Sequence, residues 1–153
     1  MADSIAIRFA RKDDFDQWLP LWDGYNSFYG RAEETALPYE ITHSTWARFL
    51  NPAEPMHCIV AEDGNQLVGL VHFIFHRPTI SIAPTCYLQD LFTQAAARGK
   101  GLGRRLIEAV YQQARQAGSS RVYWLTHETN SEAMHLYDKV ADRSGFVQYR
   151  KAL

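Results

Sequence analysis

Apolar and polar residues alternate through "SIAIRFA" near the start of the chain, and that period of two predicts a strand. The period then lengthens. Phe15, Trp18, Leu19, Trp22 and Tyr25 recur at helical spacing behind an acidic first turn, so "KDDFDQWLPLWDGYNSFYG" predicts a helix, kinked or broken at Pro20. "GRAEETALP" is a polar loop. "YEITHSTWARFLNP" predicts a second helix, started by Thr42 or Ser44 and stopped before Pro52. Two apolar runs flank "EDGNQ" and predict a hairpin, and "PTCYLQDLFT" predicts another strand. In "GLGRRLIEAVYQQARQAG" one helix face carries Leu102, Leu106, Val110 and Ala114, with Gly118 as the end signal. A strand, "RVYWLTH", follows. After it come a helix, "NSEAMHLYDKVADR", capped by Asn130, and a final strand, "GFVQYRK". No repeat, low-complexity tract or linker interrupts this order, so residues 1–153 are expected to form a single domain. A hairpin feeding a strand-helix-strand unit implies an α/β fold, one mixed sheet with helices on both faces.

Composition changes this picture little. The chain has 153 residues, enough for a sizeable core, and its 46% hydrophobic and 22% charged content is ordinary for a globular protein. A formal net charge of -1 excludes the chain as a whole as an electrostatic partner of nucleic acid or anionic lipid. Cys58 and Cys86 sit in apolar segments outside any C-x-x-C pair, which predicts buried free thiols in a reducing, cytoplasmic setting. The N-terminus does not read as a signal peptide, and no window is long and apolar enough to span a membrane.

Candidate chemistry begins at "QAAARGKGLGRRL". No Ser or Thr follows a Gly-Lys, so a Walker loop is excluded. A dinucleotide loop fits poorly, because Arg104 stands in place of the third glycine and "TQAAAR" separates the strand from the turn. The stretch still suits phosphate: glycines let backbone N–H groups approach an anion, and the next helix starts with unpaired donors. The alternative is a glycine-rich turn with a solvated basic face. A second pattern follows downstream. Asn130, Ala133 and Tyr137 share one helical face, while Leu136 and Val140 line a stripe that can face the core.

Together these residues resemble the GNAT superfamily of acyl-CoA-dependent N-acyltransferases. Its pyrophosphate motif, Arg or Gln followed three residues later by Gly-x-Gly or Gly-x-Ala, is matched by Arg98, Gly101 and Gly103. Its later N-x-x-A-x-x-L-Y motif is matched by Asn130, Ala133, Leu136 and Tyr137. "YLQDLF", "YWLTHETN" and "LYDKV" look closer still to the polyamine-type and fungal histone or D-amino-acid acetyltransferase branch. The resemblance implies a mixed, mostly antiparallel sheet that splays after the fourth strand, with acetyl-CoA in the gap. It places pantetheine against Leu91, Phe92 and Thr93, beside a bulge, and the pyrophosphate among Arg98, Gly99, Lys100, Gly101, Leu102, Gly103 and Arg104. Asn130 and Ala133 complete the cofactor side. Members also form homodimers, which is the expected assembly. Two departures stand out: Gln89 replaces the glutamate of the polyamine enzymes, and "DKVADRS" is long before "GF".

An amine attacking a thioester needs a base, stabilisation of the carbonyl oxygen and a proton for the leaving sulfur. The expected activity is transfer of an acetyl group from acetyl-CoA to a primary amine of a small molecule, polyamine or amino-acid-like, without a metal. Tyr137 is the candidate acid. The candidate base is Asp90, directly or through water, or a water chain alone. A covalent route through Cys86 has no histidine placed to support it. His72 and His76 share a strand face but lack a third ligand, so surface or partly packed histidines are expected rather than a metal pair. Tyr25, Phe28, Tyr29 and Gln89 are expected to line the acceptor pocket, with Glu33 and Glu34 suited to an amine and Arg31 to a carboxylate. A protein-lysine acetyltransferase and an inert acyl-CoA-binding module are the alternatives.

Overall fold

Residues 4–153 are described by a computed structural model of the chain. Its five strands lie in one sheet in chain order: β1 (Ile5–Phe9), β2 (Met56–Asp63), β3 (Gln66–His76), β4 (Thr85–Thr93) and β5 (Val122–Tyr123). The first three pairings are antiparallel and the β4–β5 pairing is parallel. The parallel step arises because a helix, α3 (Leu102–Gln116), separates those two strands and carries the chain back across the sheet. The β4–β5 register covers only Cys86↔Val122 and Tyr87↔Tyr123. Beyond Tyr87 the two strands part, and the end of β4 lies open toward the glycine loop.

Each face of the sheet carries its own core. On one face α1 (Phe15–Phe28) and α2 (Tyr39–Phe49) bury Trp18, Trp22 and Trp46 against Cys58, Val60 and Leu70. On the other, α3 buries Leu106, Ile107 and Val110 against Val71, Phe73 and Leu88, and α4 (Ser131–Val140) adds Leu136, Tyr137 and Val140 at its edge. The expected stripe of α3, from Leu102 to Ala114, is wholly buried. Gly118 follows the C-cap residue Ala117 of that helix with φ +79, as an end signal requires. Arg8 ties the first face together. Its guanidinium bonds Asp14 at 2.8 and 3.0 Å and Glu62 at 3.0 Å, joining β1 to the start of α1 and to β2. That hydrogen bond from Arg8 holds the Asp14 carboxyl below its ordinary range.

Four expectations need correction. Of the kink or break expected at Pro20, the break does not occur, since α1 continues from Phe15 to Phe28. The backbone bond lost there is the one to Asp16, an exposed first-turn residue whose carbonyl water can serve. Helix α2 begins at Tyr39, behind Pro38, and Thr42 lies inside it, buried and accepting a 3.3 Å bond from Trp22 Nε1. The strand expected over "RVYWLTH" is reduced to two residues. The final strand does not form: residues 141–153 hold no regular element, and Phe146, Val147, Tyr149 and Leu153 are exposed. Alternation reports a capacity to pair, and pairing needs an edge within reach. Cys58 and Cys86 are buried and free as expected, and burial pushes both thiols up, Cys86 to about 12. No helix among the described residues is long and apolar enough to cross a membrane.

Candidate active site

A cavity of about 370 Å³ opens where β4 leaves β5. β4 contributes Leu91, Phe92 and Thr93, and α1 and the residue after it contribute Tyr25, Phe28 and Tyr29. The glycine loop and the start of α3 contribute Arg98, Gly99, Gly101, Leu102, Gly103 and Arg104, while α4 contributes Asn130, Glu132, Ala133, Leu136 and Tyr137. The structure thus brings together the two motifs and three of the four expected acceptor residues. Lys100 is exposed and does not line the cavity. Gln89 and Asp90 line a different cavity. Glu132, which no motif marks, joins the wall from the first turn of α4.

The glycine loop is shaped for an anion. Gly101 sits at the N-terminal boundary of α3 with φ +72, and no side chain caps the helix. The first N–H groups of α3 are therefore free to donate to a ligand, at the positive end of the helix dipole. A Cβ on Gly101 would meet nothing within 4 Å, so the glycine is set by its dihedral angle and not by crowding. Arg98 donates to Thr93 O at 3.3 Å and lies 5.9 Å from the centre of the Phe92 ring. Arg104 pairs with Glu108 at 3.0 Å on the exposed face of the helix, which spends part of its charge locally.

A bulge in β4 builds the other side. Phe73 pairs with Leu88 and His72 with Asp90, which leaves Gln89 unopposed. The extra residue reverses the alternation. Cys86 and Leu88 pack into the α3 core, whereas two residues later Asp90 and Phe92 point toward α1. Helix α1 closes onto this turn of the strand. The tip of the Phe92 ring lies 2.8 Å from where a Cβ on Gly24 would stand, so a larger residue there would have to displace the ring. Asp90 is 8% exposed and bonds His72 Nδ1 at 2.9 Å, and Trp18 Nε1 donates to His72 Nε2 at 3.1 Å. The expectation of a surface or partly packed histidine is therefore wrong for His72, which is 1% exposed. His76 is exposed and bonds Tyr123 Oη at 2.8 Å.

Asp90, His72 and Gln89 line a second cavity of about 330 Å³, together with Trp22, Asn26, Arg31 and Phe49. Arg31 is firmly placed. Its Nε donates to Asn26 Oδ1 at 2.7 Å, Asn26 in turn donates to Trp22 O at 2.9 Å, and the guanidinium lies 5.6 Å from the Tyr29 ring and 6.0 Å from the Tyr25 ring. It forms no ion pair with a carboxylate among the described residues. Glu33 and Glu34 are exposed and line neither cavity. Tyr25 stands between the two spaces. It lines the first cavity, and burial and the nearby Asp90 charge raise its pKa. Tyr137, its ring edge-on to Trp124 at 5.4 Å, is pushed up to about 12, chiefly by burial. Asn130 occupies the N-cap position of α4, but its side chain makes no capping bond.

The acetyltransferase (GNAT) family model matches residues 18–141. The D-amino-acid N-acetyltransferase of Saccharomyces cerevisiae is 33% identical over 151 residues, covering 97% of this chain and 91% of that protein. The thialysine N-epsilon-acetyltransferase of Mus musculus is 28% identical over 109 residues, 61% of this chain and 62% of that protein. Among solved structures, the aminoglycoside N-acetyltransferase AAC(6')-Iy in complex with CoA superposes with a TM-score of 0.81 at 16% identity, covering 100% of this chain and 98% of that one.

Proposed function

The chain belongs to the GNAT acetyltransferase family, and we propose that it acetylates the primary amine of a small acceptor, an amino acid being the class its site suits best. One observation carries this reading: a carboxylate, Asp90, and a fixed guanidinium, Arg31, line the same cavity. An amino acid presents the complementary pair, an amine for Asp90 and a carboxylate for Arg31. A polyamine would leave Arg31 facing a like charge. The yeast relative, named for D-amino acids, supports the same class.

The cofactor side fits a phosphate-carrying cosubstrate. The uncapped start of α3 and the Arg98 guanidinium would hold its phosphates, and the open edge of β4 at Leu91–Thr93 would hold the arm that follows. Acetyl-CoA supplies a thioester, an acyl group already activated for attack. Asp90 would accept a proton from the amine as its nitrogen bonds the acyl carbon. Tyr137 keeps its proton at neutral pH, and burial pushes its pKa further up, to about 12. It would pass that proton to the sulfur as the carbon–sulfur bond breaks, and the backbone N–H groups at the bulge would stabilise the oxygen.

We further propose a homodimer in the cytoplasm. Two buried free thiols suit a reducing compartment. The exposed Phe146, Val147 and Tyr149 form an apolar stretch that a partner copy would cover. Light scattering at micromolar concentration should give twice the chain mass, and a monomer would remove this part. The main test is an acceptor panel with acetyl-CoA, read by thiol release. Free amino acids are expected to react fastest. Faster polyamines would shift the acceptor class, and a histone-like peptide far ahead of every small amine would overturn the small-molecule reading.

A further inference from the structure

We infer that His72 is a positioning residue: it is locked as the Nδ1–H tautomer by Trp18 and fixes Asp90 as the base that receives the amine proton. The inference rests on the reading of Asp90 above. It follows from the donor inventory of the three side chains. An indole N–H can only donate, so the 3.1 Å contact from Trp18 Nε1 makes His72 Nε2 an acceptor without a proton. The ring proton then lies on Nδ1 and points at Asp90 Oδ2, 2.9 Å away. The imidazole is neutral in this arrangement, and its contact with Asp90 is a hydrogen bond. The order Trp18, His72, Asp90 is a one-way chain of donors that ends on a carboxylate at a cavity wall.

The direction of the chain assigns the roles. His72 cannot serve as the base, because its one lone-pair nitrogen is occupied by the indole and buried beside Trp22 and Phe49, whose rings lie 5.2 and 4.4 Å away. Asp90 keeps an oxygen that His72 does not use. The bulge at Gln89 turns that carboxylate onto the α1 face, and the hydrogen bond from His72 stops it swinging back. The other titratable groups around the pair are Tyr25 from α1, Arg31 from the loop after it, Cys58 from β2 and Tyr87 from β4. Cys58 and Tyr87 are raised chiefly by burial and stay neutral. Tyr25 is also raised, chiefly by burial, and its neutral phenol is a second donor to Asp90 from α1, whereas His72 is the neutral donor on the sheet side, 2.9 Å away. A donor to a carboxylate favours its charged form.

The test combines a spectrum with rates. In the protein without acetyl-CoA at neutral pH, the 15N imidazole signals of His72 should show a protonated Nδ1 and a bare Nε2; the opposite tautomer overturns the proposal. His72→Leu removes the donor on β3 and leaves the one from Tyr25. It should lower kcat about tenfold or more, leave acetyl-CoA affinity unchanged, and move the acidic limb of the pH–rate profile upward by about one unit. His72→Asn keeps an N–H within reach of Asp90 and should recover most of the rate and the wild-type limb. Should His72→Leu fail to fold, the tautomer and the His72→Asn profile decide. A His72→Leu enzyme with wild-type rate and limb overturns the proposal. So does a rate loss in both variants that merely follows melting. Asp90→Asn separates the two layers: full activity there removes Asp90 as the base, whereas the tautomer of His72 is read independently of turnover.

Discussion

The two halves of the site are made of different material. The half around the glycine loop is mostly backbone, taken from one contiguous stretch at the start of α3, and its charged side chains stand at the surface. The half around Asp90 is side chain, drawn from α1, the loop after it, β3 and β4, and much of it is buried. Main-chain donors at a helix start recognise an anion by charge and approach, and tolerate changes in the side chains nearby. Buried side chains bonded in series recognise shape and proton position, and a change in one member disturbs the next. The first half suits a cosubstrate grasped by its phosphates. The second suits an acceptor that must be oriented.

This contrast can be broken at three points. The largest effect is expected at Tyr137, on the α4 wall of the first cavity. Tyr137→Phe keeps the ring against Trp124 and removes only the hydroxyl. It should lower kcat roughly 100- to 10,000-fold with acetyl-CoA affinity and melting temperature nearly unchanged. Wild-type turnover would assign the proton to water and leave Tyr137 a packing residue. Next comes Arg31. Arg31→Ala should raise KM for an amino acid about tenfold to a hundredfold, the worth of a charge-assisted hydrogen bond, and should spare an amine that lacks a carboxylate. Equal losses for both acceptors would mean that Arg31 shapes the pocket without reading the ligand. Gly101 is expected to give a smaller change. Gly101→Val places a branched side chain at φ +72 and fills the approach to the uncapped helix. It should weaken CoA binding roughly five- to thirtyfold, with some loss of stability from the left-handed dihedral. Lys100→Ala, outside the cavity, should change little. Equal effects at Lys100 and Gly101 would show that charge, not backbone access, holds the phosphates.

The same contrast explains what could be read from the chain. The glycine loop, the stripe from Leu102 to Ala114 and the end at Gly118 are local patterns, and each lies where its spacing predicts. Asp90 was visible as a residue but not as half of a pair. Read straight through, the alternation of β4 puts it on the face of Leu88; the unopposed Gln89 puts it on the other. His72 sits in an apolar run, and its indole partner lies 54 positions upstream. Asn26 and Arg31 carried no motif either, because their bond forms only where α1 ends and the chain turns back. The last strand failed for the opposite reason. Its pattern is clear, but within one chain residues 141–153 meet no edge.

The aromatic column on α1 gives the site an optical consequence. Trp18 stacks on Trp22 with ring centres 5.7 Å apart and planes 14° from parallel, and Trp22 stacks on Tyr25 at 5.5 Å and 8°. Tyr25 forms part of the first cavity wall, and Trp22 part of the second. Excitation absorbed by Tyr25 can pass to the stacked indole of Trp22, whose emission responds to the polarity of the second cavity it borders. The intrinsic emission of the protein should therefore brighten, dim or shift colour as either cavity fills, and a titration of each ligand needs no label other than these three rings.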